Sequence, residues 1–114
     1  MNTECIFCKI ITGELSADKV AESDNIIVIK DKFPKASVHY LIIPKQHYRD
    51  LLELDDCSVS GSLIQMARSL SEHNSELRDF KLLINNGYSM GQRVFHVHMH
   101  FLAGSKISDF ENLI

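Results

Sequence analysis

Three of the chain's six histidines stand at alternate positions in one short segment, Phe95-His96-Val97-His98-Met99-His100-Phe101. An imidazole can serve as nucleophile, proton donor, proton acceptor or metal ligand near neutral pH. Alternation is the period of a strand. His96, His98 and His100 should therefore share one face, and Phe95, Val97, Met99 and Phe101 the other, buried against a helix. Charging all three rings on one crowded face is costly, so some should be neutral near pH 7. One ion does not easily gather all three. Residues two apart on a strand are ~6.6 Å apart, which separates His96 from His100 by ~13 Å, whereas a zinc–nitrogen bond is only ~2.0–2.1 Å. The segment alone leaves nucleophilic chemistry and a metal site both open, with a different task at each end of the row.

The residues running into this segment weigh towards a phosphate ligand. Asn85, Gly87, Gly91 and Gln92 form a loop directly before the histidines. Glycine lets backbone N–H groups approach an anion closely, and Asn and Gln add side-chain donors. An ordinary glycine-containing hairpin loop is the plainer reading of those residues taken alone. At the other end of the chain, Cys5 and Cys8 form a Cys-x-x-Cys pair. In a reducing compartment that spacing reads as a metal site or a redox motif rather than a structural disulfide. Cys57 is the odd thiol and His73 a surface residue, neither with an evident chemical role.

These residues need elements to hold them. Phe7 to Thr12 reads as a short helix stopped by Gly13. Ile26 to Ile29 and His39 to Ile43 are β-branched runs and read as strands, the second ended by Pro44. Val59, Leu63, Met66, Ala67 and Leu70 recur at three- and four-residue spacing, which predicts a long amphipathic helix from Asp56 to about His73, capped by Asp55 or Asp56. Phe80 to Ile84 and Val94 to Leu102 read as the last two strands. Short returns favour antiparallel pairing. The fold class is α+β, an antiparallel sheet with helices packed on one face.

With 114 residues, 45% of them hydrophobic and 24% charged, the chain reads as one domain over residues 1–114. A net charge of −3 argues against a nucleic-acid polymer as partner, which needs a basic face, but not against a single nucleotide. No stretch approaches the ~18–20 apolar residues of a membrane span. The first residues lack a basic region followed by an apolar one, so a cytoplasmic protein without a membrane partner is expected.

The segment His96-Val-His98-Met-His100-Phe-Leu resembles the His-φ-His-φ-His-φ-φ signature of the histidine-triad (HIT) superfamily, φ being apolar. Cys5-Ile-Phe-Cys8-Lys-Ile-Ile-x-Gly13-Glu resembles the start of its Hint-like branch, the bacterial type with Cys-x-x-Cys. Asp31 precedes a proline-containing turn as it does there, and His39-Tyr-Leu-Ile-Ile-Pro44-Lys-x-His47 resembles the next block. The resemblance covers nearly the whole chain. It implies a HIT-like fold: a five-stranded antiparallel sheet with one long and one short helix, joined across a homodimer into a larger sheet.

The resemblance also implies a chemistry, the cleavage of AMP or GMP from a phosphoramidate or related leaving group. By position His98 is the nucleophile that forms a nucleotidyl-histidine intermediate, His100 binds phosphate and protonates the leaving group, His96 is more structural, and His39 orients the triad. Asp31 matches the residue that holds the ribose hydroxyls, with a plain turn aspartate as the alternative. Phe7 and Ile29 match positions flanking the base, with core packing equally open. Asn85, Gly91 and Gln92 are expected on the phosphate side. Cys5, Cys8, His47 and His96 match the ligands of a structural zinc, the one cofactor implied.

Lys32 departs from the branch, standing where an apolar residue usually lines the ribose pocket. Arg93 departs too, standing where Ser or Thr is usual; a guanidinium can hold a phosphate or carboxylate bidentately. Met90 replaces a small residue, and the tail from Ser105 to Ile114 lacks the branch's tryptophan. A dinucleoside polyphosphate hydrolase of the Fhit-like kind, or a zinc-stabilised nucleotide-binding or interaction module with little turnover, are the alternatives.

Overall fold

In the computed structural model of the chain, residues 4–104 are described; the tail expected to differ from the branch lies outside them. Helix α1 is Ile6–Thr12, followed by strands β1 (Lys19–Glu22), β2 (Ile26–Lys30) and β3 (Val38–Pro44), helix α2 (Cys57–Glu72), and strands β4 (Phe80–Leu83) and β5 (Met99–Ala103). The sheet order is β1-β2-β3-β5-β4, and every neighbouring pair is antiparallel. This is the expected α+β architecture with five strands, one long helix and one short one.

The helix boundaries follow from local chemistry. Asp56 caps α2, its carboxylate accepting from the Ser58 and Val59 N–H groups at 2.9 and 3.4 Å; those donors have no partner within the helix. Val59, Leu63 and Ala67 form its buried stripe. Helix α1 is capped by a thiol: Cys5 Sγ accepts from the Cys8 N–H at 3.3 Å. It ends at Gly13, in the left-handed conformation at φ 89°.

The helices do not share a face, contrary to expectation. Ile26, Val28 and Ile42 pack with Val59, Leu63 and Ala67 of α2, whereas Ile27, Ile29, Leu41 and Ile43 pack with Cys5, Phe7 and Cys8 at α1. Alternate residues of β2 and β3 point to opposite sides, so both faces are covered, and β2 reads as a continuous apolar run. Strand β1, the fifth that the resemblance implies, is not located by the residue pattern. It is a four-residue edge strand, charged at both ends, with a bulge between Lys19 and Ala21, and such edges carry little apolar signal.

The last strand begins at Met99 rather than Val94. The β3–β5 register pairs Ile42 with Met99. Continued, it would set Pro44 opposite Val97, and Pro44 has no N–H to give. The segment turns instead to the chain beyond β3, where the Val97 N–H donates to the Tyr48 carbonyl at 2.8 Å. Side-chain alternation runs on past the ladder: Val97, outside the strand, joins Met99 and Phe101 of β5 in the α2-side core. Phe95 falls outside it and is 43% exposed.

Candidate functional site

The triad is held by backbone groups and by His39, which together dictate where each ring proton sits. His96 is fully buried, and its Nε2 lies 2.7 Å from the Pro44 carbonyl. A carbonyl only accepts, so Nε2 carries the proton and Nδ1 is left with a lone pair. His98 Nδ1 lies 2.8 Å from the His96 carbonyl. By the same reasoning Nδ1–H donates, and His98 Nε2 presents the lone pair.

His39 and His100 complete the chain of assignments. The Lys35 N–H donates to His39 Nδ1 at 3.0 Å, so the His39 proton is on Nε2, which donates to His100 Nδ1 at 2.8 Å. His100 therefore carries its own proton on Nε2. Asp31 Oδ2 stands 3.5 Å from His39 Nε2. The rings of His98 and His100 are 5.3 Å apart. The result is two adjacent imidazoles of opposite function: a lone pair on His98 Nε2 beside an N–H on His100 Nε2.

Burial keeps these rings neutral. It is the chief cause holding His98 below the ordinary histidine value and His100 at about 4, the latter aided by repulsion from His98 and His39. His39 is lowered mainly by burial too, against an upward pull from Asp31. A nucleophilic imidazole must be neutral, and here the fold enforces it. The same burial sets a stability trend. Between about pH 4 and 6.5 the unfolded chain binds a proton at His100 that the native chain does not, so native stability is intact above pH 6.5 and falls on acidification to pH 4. At about 1.4 kcal/mol per pH unit, discounted for solvent screening of a ring that is not fully buried, His100 alone should cost on the order of 2 kcal/mol across that window. Thermal melts from pH 7.5 to 4 should show a steadily falling Tm; a flat curve would mean the ring is not shielded as described.

A pocket of about 540 Å³ opens between α1 and β2 and includes Phe7, Ile29, Leu41, Val94, Asp31 and Lys32 in its lining, within the size range of small-molecule sites. Phe7 and Ile29 are thus both core residues and pocket wall, and the two readings of them are compatible. The histidines stand beside this pocket: the His98 ring meets the Phe7 ring edge-on at 5.0 Å. Asp31 is likewise two things at once. Its Oδ1 accepts from the Phe33 N–H at 2.8 Å as a turn residue, while the side chain also reaches the pocket.

The loop before the triad is bonded mainly to itself. Gln92, expected to offer a donor to phosphate, is 2% exposed. Its Nε2 donates to the Arg49 and Val94 carbonyls and its Oε1 accepts from the Gly87 N–H; both side-chain donors are committed, and Gln92 pins the loop. Asn85 Nδ2 donates to the Met90 carbonyl at 2.8 Å. Gly91 is called for by φ 101°, a conformation that other residues rarely adopt, and a Cβ there would press on Asn85 Nδ2 at 3.0 Å. Arg93 Nη1 donates to the Tyr88 and Gln92 carbonyls, and its guanidinium lies 4.1 Å from the Tyr88 ring centroid. The groups that sequence reasoning missed are backbone ones: the Lys35 N–H and the carbonyls of Pro44, Tyr48 and Arg49.

Cys5, Cys8, His47 and His96 do converge, each offering one ligand atom to a common centre. His96 Nδ1 lies 3.2 Å from Cys5 Sγ, 3.6 Å from Cys8 Sγ and 3.2 Å from His47 Nδ1, and Cys8 Sγ lies 3.4 Å from His47 Nδ1. Tetrahedral zinc with thiolate and imidazole ligands has donor–donor edges of about 3.3–3.8 Å. The lone pair left on His96 Nδ1 points into this cluster. Donor set and spacing both fit zinc.

Comparison with known proteins gives a consistent result. The family described as "Scavenger mRNA decapping enzyme C-term binding" matches residues 4–113. A HIT-like protein of Chlamydia muridarum is 49% identical over 105 residues, covering 87% of this chain and 80% of its own length. A HIT family hydrolase of Clostridium thermocellum superposes with a TM-score of 0.88 at 34% identity, covering 94% of this chain and 96% of that one. Adenylylsulfatase HINT3 of Arabidopsis thaliana is 36% identical over 104 residues, which span 90% of this chain and 53% of that protein.

Proposed function

The chain belongs to the histidine-triad superfamily, and from that premise we propose that it is a nucleotidyl hydrolase or transferase that cleaves AMP or GMP from a phosphoramidate or related leaving group. The observation that carries this is the paired tautomers: a lone pair on His98 Nε2 next to a proton on His100 Nε2.

The base would sit between Phe7 and Ile29, with Asp31 taking the ribose hydroxyls and Lys32 at the rim. His98 Nε2 attacks the α-phosphorus. The phosphorus–nitrogen bond to the leaving group breaks, and His100, entering this step as the imidazolium, gives its Nε2 proton to the departing amine and is left neutral. Water then attacks phosphorus, the bond to His98 breaks, and His100 Nε2 recovers a proton from that water. The low value of His100 belongs to the free protein; an anionic phosphate beside it favours the protonated ring and raises it. Asn85, Gly91 and Gln92 act by fixing the loop, and Arg93 is available to an anionic leaving group.

Zinc bound by Cys5, Cys8, His47 and His96 would tie the start of the chain to the triad segment. The protein is read as one cytoplasmic domain that forms a homodimer. In support of the dimer, β4 is an edge strand, and Phe80 on it and Ile64 on α2 are exposed apolar residues.

Three nucleotides discriminate the substrate. An AMP phosphoramidate should be turned over with the highest kcat/KM, ahead of adenylyl sulfate, the class suggested by the named adenylylsulfatase relative, and of a diadenosine polyphosphate. Preference for the polyphosphate would move the protein to the Fhit-like reading. Binding of AMP with no turnover of any of the three would leave only a nucleotide-binding module.

A further inference from the structure

His96 serves two sites at once. Its side chain enters the Cys5–Cys8–His47 cluster through Nδ1, while its backbone carbonyl accepts the His98 Nδ1–H that fixes the nucleophile's tautomer. That peptide unit is gripped from its other edge as well. The Val97 N–H donates to the Tyr48 carbonyl at 2.8 Å, and Tyr48 directly follows His47. The plane that orients His98 is therefore strung between two residues adjoining or belonging to the cluster. The same stretch reaches the preceding loop: the Arg49 carbonyl accepts from Gln92, and the Leu51 N–H donates to Asn86 Oδ1 at 2.8 Å.

Without a metal, His47 and His96 meet as edge-on rings whose Nδ1 atoms, 3.2 Å apart, share at most one proton. We propose that the Cys5–Cys8–His47–His96 cluster, when it holds zinc, is a positioning device for the nucleophile: by joining His47 to His96 it clamps the peptide between residues 96 and 97, and with it the ring of His98. The inference rests on His98 being the nucleophile. A loosened peptide would let the His98 ring turn or change tautomer, placing the proton on Nε2 and removing the attacking lone pair. Ile29 on β2 carries no part of this clamp, and Phe7, although it lies between Cys5 and Cys8, is also held by the apolar core against β2 and β3, so substrate binding should persist while the chemical step fails.

The test is a zinc titration of His47→Gln, chosen because it removes one ligand without touching α1. Zinc occupancy is followed by metal analysis, and the His98 Nδ1–H by its downfield proton NMR signal, identified by its loss in His98→Ala. In the metal-poor variant kcat should fall about 10–100-fold, with KM nearly unchanged and the downfield signal broadened away. Added zinc should restore both at concentrations where far-UV circular dichroism is already native. Cys57→Ser should behave as wild type. If kcat and the signal are unchanged with the cluster empty, the coupling is refuted. It is equally refuted if they are lost only in step with helical structure, since the metal would then merely hold the fold. Should His47→Gln not fold, wild type stripped stepwise by a chelator supports the same comparison. Retained turnover in His98→Ala would instead overturn the nucleophile assignment itself.

Discussion

His98→Ala should lose turnover of an AMP phosphoramidate by about 10⁴-fold or more, the scale on which removing an essential nucleophile acts. The loss should fall on kcat, because the base and ribose side of the site, Phe7, Ile29 and Asp31, lies in a pocket wall that does not include His98. AMP should still bind, weakened by no more than the lost edge contact between His98 and Phe7. A direct chemical reading accompanies the kinetics. Wild type quenched during turnover of a labelled substrate should carry acid-labile nucleotide label on the protein, and the variant none. Label persisting in the variant would place the covalent bond on another residue.

His100→Gln should produce the second-largest effect, and one that depends on the leaving group. General-acid assistance contributes about 10²–10⁴-fold where the departing atom needs a proton. An amine leaving from phosphorus does; sulfate does not. The variant should therefore be strongly impaired on the AMP phosphoramidate and far less on adenylyl sulfate. A uniform loss on both would assign His100 to phosphate binding alone. His39→Gln is a graded companion, since the His39 Nε2–H donated at 2.8 Å is what leaves the His100 proton on the outward nitrogen. It should shift the pH profile as well as the rate.

Much of this site was legible because its chemistry is written in side chains at fixed periods. The alternation through His96, His98 and His100 placed the rings on one side of the segment, and Val97, Met99 and Phe101 did bury on the other. The spacing of Val59, Leu63 and Ala67 located α2, and Asp56 proved to be its cap. What escaped is carried by backbone atoms and by tertiary choice. No residue type announces that the carbonyl of Pro44 will take the His96 proton or that the N–H of Lys35 will fill His39 Nδ1. Gln92 looked like a ligand donor because its amide can be one, and only packing reveals that Arg49 and Val94 already hold it. The unbroken apolar run of β2 is the pattern of a strand covered on both faces, and the one-face expectation overlooks it: α1, seven residues long, reads as a short helix but not as a cover for the sheet. Phe95 continued the alternation by type and left it by position, because the strand ladder had already stopped short of it.

The brevity of α1 has an evolutionary corollary. About two turns supply the aromatic wall against which a base would stack and, from Cys5 at the cap to Cys8 a turn later, half the sulfur–imidazole cluster. The two cannot drift separately: a descendant that abandons its thiols must repack the turn carrying Phe7, and one that widens its base pocket disturbs the thiols. Ligand preference and metal dependence should thus be gained and lost together along this lineage.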